Sequence, residues 1–258
     1  MLSLANIGRK LKMSLKQIDT TAKKKLLVNG CSFSRGPNSW PYFLSGYDVV
    51  NLAQSGSGNT YIHETTIAEL SKRAYDFVIV MWTGIHRVDF KVADISIFSQ
   101  SPYTSQYQHQ KNDWPEKIVI PVNDQDYVEK DWVFGCGHIT GDPAMTRSKM
   151  FEQVYKHVDS SQFAYGLLIK MISMQSVLKQ MRIPYLFTFY RDYEQTLKMH
   201  PTLYNALDHT RIYNKENIYN ITQKNNWFDT DNLHPGMLAH QTWASLIQPK
   251  IDEINETN

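Results

Sequence analysis

Residues 26–35 read Leu26-Leu27-Val28-Asn29-Gly30-Cys31-Ser32-Phe33-Ser34-Arg35. Three apolar residues follow a lysine triplet, Lys23-Lys24-Lys25, and lead into Gly30. A short apolar run bounded by turn residues reads as a buried strand. Gly30 permits a sharp turn, and Ser32 falls on that turn. The carboxyl end of the first strand is where an open α/β sheet binds ligands. A strained turn there holds a serine Oγ out toward solvent. A plain strand-to-loop turn fits the same residues, so the fold depends on what lies on either side.

Downstream, strands and helices alternate. Residues 40–44 read as a short helix with Pro41 near its first turn. Residues 48–52 (DVVNL) read as a second strand, followed by the small-residue loop AQSGSGNT at 53–60. Asn59 or Thr60 can cap a helix running to about Arg73, with Ile62, Ile67 and Leu70 on its apolar side. Residues 76–82 (DFVIVMW) form a nearly continuous apolar run, as expected for a strand buried on both faces. Three strand-then-helix units predict a parallel sheet with helices on both sides. A long helical pattern covers 151–181, Ile183-Pro184 ends it, and 185–189 (YLFTF) is a fourth strand with Arg191 and Asp192 at its carboxyl end. Residues 200–226 are irregular and partly helical. The block WFDTDNLHPG at 227–236 precedes a helix over 237–246, with Pro235 suited to its first turn.

Two segments fall outside this rhythm. In residues 1–22, Leu4, Ile7, Leu11, Leu15 and Ile18 recur at three- and four-residue spacing among Arg9, Lys10, Lys12 and Lys16. That is an amphipathic basic helix, able to pack on its own domain, on a protein partner or on an anionic membrane surface. Residues 89–149 are polar and rich in aromatics, with a strand expected at 117–122 and a Gly-rich turn at 135–141. A loop of that length is a lid, a binding loop or an interface. The expected organisation is therefore a helix at 1–22 and one domain at 23–258 carrying an insertion.

Composition narrows the possibilities. The chain has 258 residues, 42% hydrophobic and 12% aromatic, with a formal net charge of +2. Bulk charge gives no reason to expect nucleic acid. Two cysteines, Cys31 and Cys136, are no disulfide framework. No stretch approaches the roughly 18 apolar residues of a membrane span, and no secretory signal is evident. A cytoplasmic location is the expectation, with oligomeric state open.

Asp231-Asn232-Leu233-His234 carries the chemistry. An Asp and a His three apart can face each other across one turn. Serine nucleophilic catalysis uses such a pair: the imidazole takes the serine proton, and the carboxylate fixes its tautomer and stabilises the imidazolium. A histidine at a helix entry also serves as a cap or a surface residue. The spacing of His63, His138 and His240 suggests no metal site, and no cofactor is expected. Gly56-Ser57-Gly58 lacks the third glycine of a dinucleotide fingerprint.

A Gly-x-Ser turn after strand one, a Gly-rich loop after strand two and a late Asp-x-x-His-Pro before the last helix, in that order, resemble the SGNH/GDSL hydrolase superfamily. The matching segments are 26–35, 49–60, 76–87 and 229–236. The resemblance implies a three-layer α/β/α sandwich with a parallel, flavodoxin-like sheet, acting on acyl esters of small molecules, carbohydrates or lipids. It implies Ser32 as nucleophile, His234 as base, Asp231 as the orienting acid, and Ser32 and Gly56 N–H as oxyanion donors, with Gly58 as the fallback. The family's Asp before the serine is Cys31 here. Its third-block Asn, an oxyanion donor, is Ile85 here, within Trp82-Thr83-Gly84-Ile85-His86-Arg87. Thr83, His86 and Arg87 are the candidate replacements. Arg191 is placed to bind an anionic substrate group or to pair with Asp192 or Glu194. The expected function is a serine esterase or deacylase working through an acyl-enzyme. The alternatives are an acyltransferase using the same triad and a non-catalytic binding or structural protein on that scaffold.

Overall fold

Lys24–Asn29 forms β1, and its last four residues are buried. In this computed structural model, the residues described are 23–87, 89–92, 131–134 and 157–257. The helix expected at 1–22, the strand expected at 117–122 and the turn at 135–141 lie outside them.

Tyr47–Asn51 is β2, Asn59–Leu70 is α1 and Phe77–Trp82 is β3. Every residue of β3 is buried, which is why its sequence is apolar without alternation. Asp89–Val92 (β4) pairs antiparallel with Asp131–Phe134 (β5) in a separate two-stranded sheet, a pairing the sequence did not announce. Ser160–Gln180 is α2, with the Asp159 carboxylate accepting from Ser161 N–H as its cap. Tyr185–Phe189 is β6. Ile212–Tyr213 is β7, a fifth strand inside the stretch read as irregular. Ile218–Asn225 is α3 and Met237–Glu256 is α4. The last helix runs well past the expected 246 and contains Pro249.

The main sheet is parallel throughout, in the order β2-β1-β3-β6-β7. Counting only its own strands, that is 2-1-3-4-5, the flavodoxin-like order. Side chains alternate across it. Leu26, Val28, Phe77, Ile79 and Met81 pack with Ile218 and Ile221 of α3 and with Trp243, Ile247 and Ile251 of α4. Leu27, Val78, Val80 and Trp82 pack with Tyr61 and Ile62 of α1 and with Leu168, Met171 and Met174 of α2. Helices thus cover both faces, and the fold is a three-layer α/β/α sandwich. No helix of the described residues is long and apolar enough to cross a membrane.

Candidate active site

The carboxyl end of β1 is tied to its neighbours by buried polar groups. Asn29 Nδ2 donates to Ile62 O, Thr65 Oγ1 and Thr66 Oγ1, at 2.8–3.1 Å, and Asn29 Oδ1 accepts from Gly30 N. Gly30 serves here through lack of bulk. A Cβ would lie 2.7 Å from Ser34 Oγ and 3.2 Å from Met81 Cβ. The chain then enters a 3₁₀ turn at Ser32–Ser34, whose preceding residue, Cys31, is extended. No residue of this turn has a left-handed φ. The strained elbow expected from the sequence is therefore replaced by an ordinary turn held from beneath. Ser34 Oγ bonds Met81 Sδ and accepts from Trp40 Nε1, and Ser34 O accepts from Asn51 Nδ2 and Ser39 Oγ. Cys31, Phe33 and Ser34 are buried, while Ser32 is half-buried at the rim.

The loop after β2 docks on the same point. Gln54 N and Ser57 Oγ both donate to Gly30 O, at 3.2 and 3.0 Å. Ser57 N bonds Gln54 O, and Gly56 between them has φ +81. That is the third position of a type II turn, which asks for glycine. Gly58 is placed differently. Its N–H donates to Asp89 Oδ2 at 2.9 Å. Gly58 is also the N-cap of α1, the position sequence reasoning gave to Asn59 or Thr60. Asn59 instead reaches across to β3: its Oδ1 accepts from Thr83 N, and its Nδ2 donates to Thr83 O and Gly84 O.

The turn after β3 separates the three candidate replacements for the missing Asn. Ile85 itself is buried in the core beneath α1 and α2. His86 packs edge-on against Phe163 at 5.3 Å, in that same layer, and burial lowers its pKa below the ordinary histidine value. It faces away from the layer that holds Phe33. Thr83 is fully buried, and its Oγ1 has no hydrogen-bond partner among the described residues. Arg87 is 5% exposed, with Nη1 donating to Ser57 O at 3.2 Å and its guanidinium 5.8 Å from the Tyr190 ring. Tyr193 OH donates to Tyr190 OH at 3.0 Å, and a Cβ on Gly84 would lie within 3.6 Å of both hydroxyls and of Arg87 Cγ. Burial raises both phenol pKa values, that of Tyr193 well above the usual range. Tyr190 packs 4.8 Å from Phe33.

The last loop brings in the imidazole. Phe228 bridges Pro235, Asp229 N bonds His234 O, and Asn232 takes φ +55 at the tip. Pro235 therefore closes a loop, and Gly236 is the N-cap of α4. Asp231 Oδ1 accepts from the N–H of Leu233 and of His234, and Oδ2 bonds His234 Nδ1. Burial alone would raise the Asp231 pKa, but these bonds hold it below the usual carboxylate value. The His234 ring lies 5.7 Å from the Phe33 ring, and its Nε2 is shielded from solvent. Bonding through Nδ1 leaves Nε2 as the nitrogen able to exchange a proton with a nucleophile.

The remaining candidates lie further out. Arg191 sits 5.4 Å over the Tyr219 ring and borders a cleft of about 120 Å³ between the ends of β6 and β7, with Asp192, Tyr204 and Asn214 on its walls. Glu194, one of the acids proposed to pair with it, pairs with Lys198 at 2.7 Å. His240 is structural: Nδ1 accepts from Trp40 N at 3.3 Å, and burial pushes its pKa down to about 4. His63 bridges α1 to α2 through Ser173 Oγ at 3.1 Å. Asn29, Asn59 and Asp89 carry most of the scaffolding around the rim, and sequence reasoning gave none of them that part. An Asn ending a strand before Gly was the one visible signal.

No family model and no curated protein matches the chain. Solved structures do. The chain is similar to esterases. One is the psychrotrophic esterase EstA from Pseudoalteromonas sp., with 11% identity and a TM-score of 0.45, covering 91% of this chain and 98% of that one. A second is a GDSL-like lipase from Bacteroides thetaiotaomicron, at 11% and 0.43, covering 97% and 99%. A third is a catalytic mutant of Axe2, an acetylxylan esterase from Geobacillus stearothermophilus, at 12% and 0.44, covering 88% and 94%. The fold itself is given by the strand order and by the helices packed on both faces of the sheet.

Proposed function

We propose that the protein is a serine esterase or deacylase acting on an acyl ester, an acetyl ester being the simplest case. The observation that carries this is the placement of His234. Asp231 holds its Nδ1, and its ring packs against Phe33, the residue next to Ser32. Ser32 Oγ attacks the acyl carbonyl as His234 Nε2 takes its proton. The carbonyl oxygen gains negative charge and is met by the N–H groups of Ser32 and Gly56. The imidazolium then protonates the leaving alcohol, and an acyl-enzyme on Ser32 remains. Water, deprotonated by His234, attacks that ester and frees the acid. Asp231 stays ionised throughout and keeps the imidazole in its working tautomer.

Arg87 is the proposed third donor in place of the family's Asn. Among the three candidates it is the one grouped with Ser57 O, Gly84 and Tyr190. A guanidinium in a water-poor site stabilises developing negative charge more than it would in water. The alcohol portion belongs to a small molecule, a carbohydrate or a lipid, and an acceptor hydroxyl in place of water would make the same machinery an acyltransferase.

A second reading is a binding or structural protein on this scaffold. Ile85, buried where the family has its Asn, favours it. Hydrolysis of p-nitrophenyl acetate by wild type and by Ser32→Ala separates the two. Turnover lost in the variant supports the esterase, and equal rates support the second reading.

A further inference from the structure

Helix α1 begins without a capping side chain of its own, because its N-cap is Gly58. Asp89, the first residue of β4, supplies the cap from a distance. Its Oδ2 accepts from Gly58 N at 2.9 Å and Tyr61 N at 2.8 Å, and its Oδ1 accepts from Thr60 N at 3.1 Å. Asp89 is 5% exposed. The approach is too close for any side chain at 58. A Cβ there would lie 2.8 Å from Asp89 Cγ, from Asp89 Oδ1 and from Arg87 O. Arg87 grips the same segment through Ser57 O at 3.2 Å. Gly56 is thus fixed from two sides. Gly30 O holds Gln54 N and Ser57 Oγ before and after it, and Asp89 with Arg87 holds Ser57 through Tyr61.

We propose that Asp89 is a positioning residue for the oxyanion loop, holding the start of α1 so that the Gly56 N–H keeps its place relative to Ser32. The proposal rests on the reading of Gly56 as a donor. Asp89 touches no reacting atom. Its loss loosens the loop and weakens an interaction made only once negative charge develops on the carbonyl oxygen. It therefore acts on kcat and leaves KM alone.

The test uses Asp89→Ala and Asp89→Asn in the full chain, with p-nitrophenyl acetate kinetics and amide hydrogen exchange. Asp89→Ala is expected to lose about tenfold or more in kcat with KM changed by less than about twofold. The amides of Gly58, Thr60 and Tyr61 should exchange faster. Asp89→Asn should fall between, because its amide oxygen still accepts. A kcat kept within about twofold in folded Asp89→Ala, or a rise in KM alone, overturns the proposal. Should the alanine variant not fold, Asp89→Asn decides: wild-type kcat together with wild-type exchange overturns it. If wild type shows no turnover, the esterase reading fails by itself. Unchanged exchange at 58, 60 and 61 would then overturn the tie as well.

Discussion

The ring of His234 packs 5.7 Å from the ring of Phe33, which joins the loop before the last helix to the turn after the first strand. Neither residue reaches the other through local structure. The parallel sheet sets β1 between β2 and β3, and α4 lies across one face, so the loop entering α4 comes down over the β1 turn.

Asp231 is the first place to test the consequence. It engages Nδ1 and two backbone N–H groups of the same loop. Asp231→Asn keeps one acceptor oxygen and can bond Nδ1 only in the other tautomer. The expected result is a fall in kcat for p-nitrophenyl acetate of about 100-fold or more. The melting temperature should move by only a few degrees, because the carboxylate is partly exposed.

Glycines at the rim offer a test of packing. An alanine at 58 would place its Cβ 2.8 Å from a backbone oxygen, Arg87 O, which cannot swing away as a side chain can. An alanine at 30 meets Ser34 Oγ at 2.7 Å, a group that can rotate only by giving up its bonds to Met81 Sδ and Trp40 Nε1. Each substitution is expected to cost about 1–3 kcal/mol in denaturant unfolding, with Gly58→Ala the larger. Gly36→Ala is the contrast. Nothing lies within 4 Å of its added Cβ, so any cost there comes from its φ of +95 alone.

The four long parallel strands were legible because each is an apolar run, and β3 and β6 need no partner to be recognised. β7 was not, since Ile212–Tyr213 is too short to show a period and is a strand only by pairing with Phe187 and Thr188. The length of α4 was missed because Pro249 reads as a stop. The contact between Asp231 and His234 was legible because it is local. Asp89 was not, because its role exists only where β4 meets the start of α1. Gly30 was noticed, but for its backbone freedom, whereas the structure uses its missing side chain. His86 and Arg87 are neighbours in sequence, and only the direction of the turn after Gly84 sends one to Phe163 and the other to Tyr190.

Acid should act on two buried groups in opposite directions. His240 is held neutral, its pKa lowered by burial to about 4. Its contribution is fully present above the unfolded value near 6.5 and disappears as pH falls to about 4. The size is on the order of 3 kcal/mol. Asp89 runs the other way. Burial raises its pKa to about 6, against the lowering effect of its N–H donors. Its contribution is present below the unfolded value and is lost as pH rises through 6. Urea unfolding between pH 4 and 7 should show a flatter acid loss in His240→Gln than in wild type. In Asp89→Asn the acid loss should be steeper.

Arg87 bears on the replaced Asn. Arg87→Lys keeps a charge but not the planar fork, and Arg87→Met keeps bulk alone. If the guanidinium meets the oxyanion, kcat should fall about 10-fold or more in Arg87→Lys and further in Arg87→Met. Equal kcat in all three proteins would assign Arg87 to scaffolding.

The central claim is that the Ser32 hydroxyl is activated by His234. Labelling with a fluorophosphonate, followed by intact mass and peptide mapping, tests it most directly. The account predicts one phosphonyl group per chain, located on Ser32, with labelling abolished in Ser32→Ala and strongly slowed in His234→Ala. Absence of label on Ser32 in the folded wild type, or an adduct on another residue with Ser32 unmodified, would contradict it.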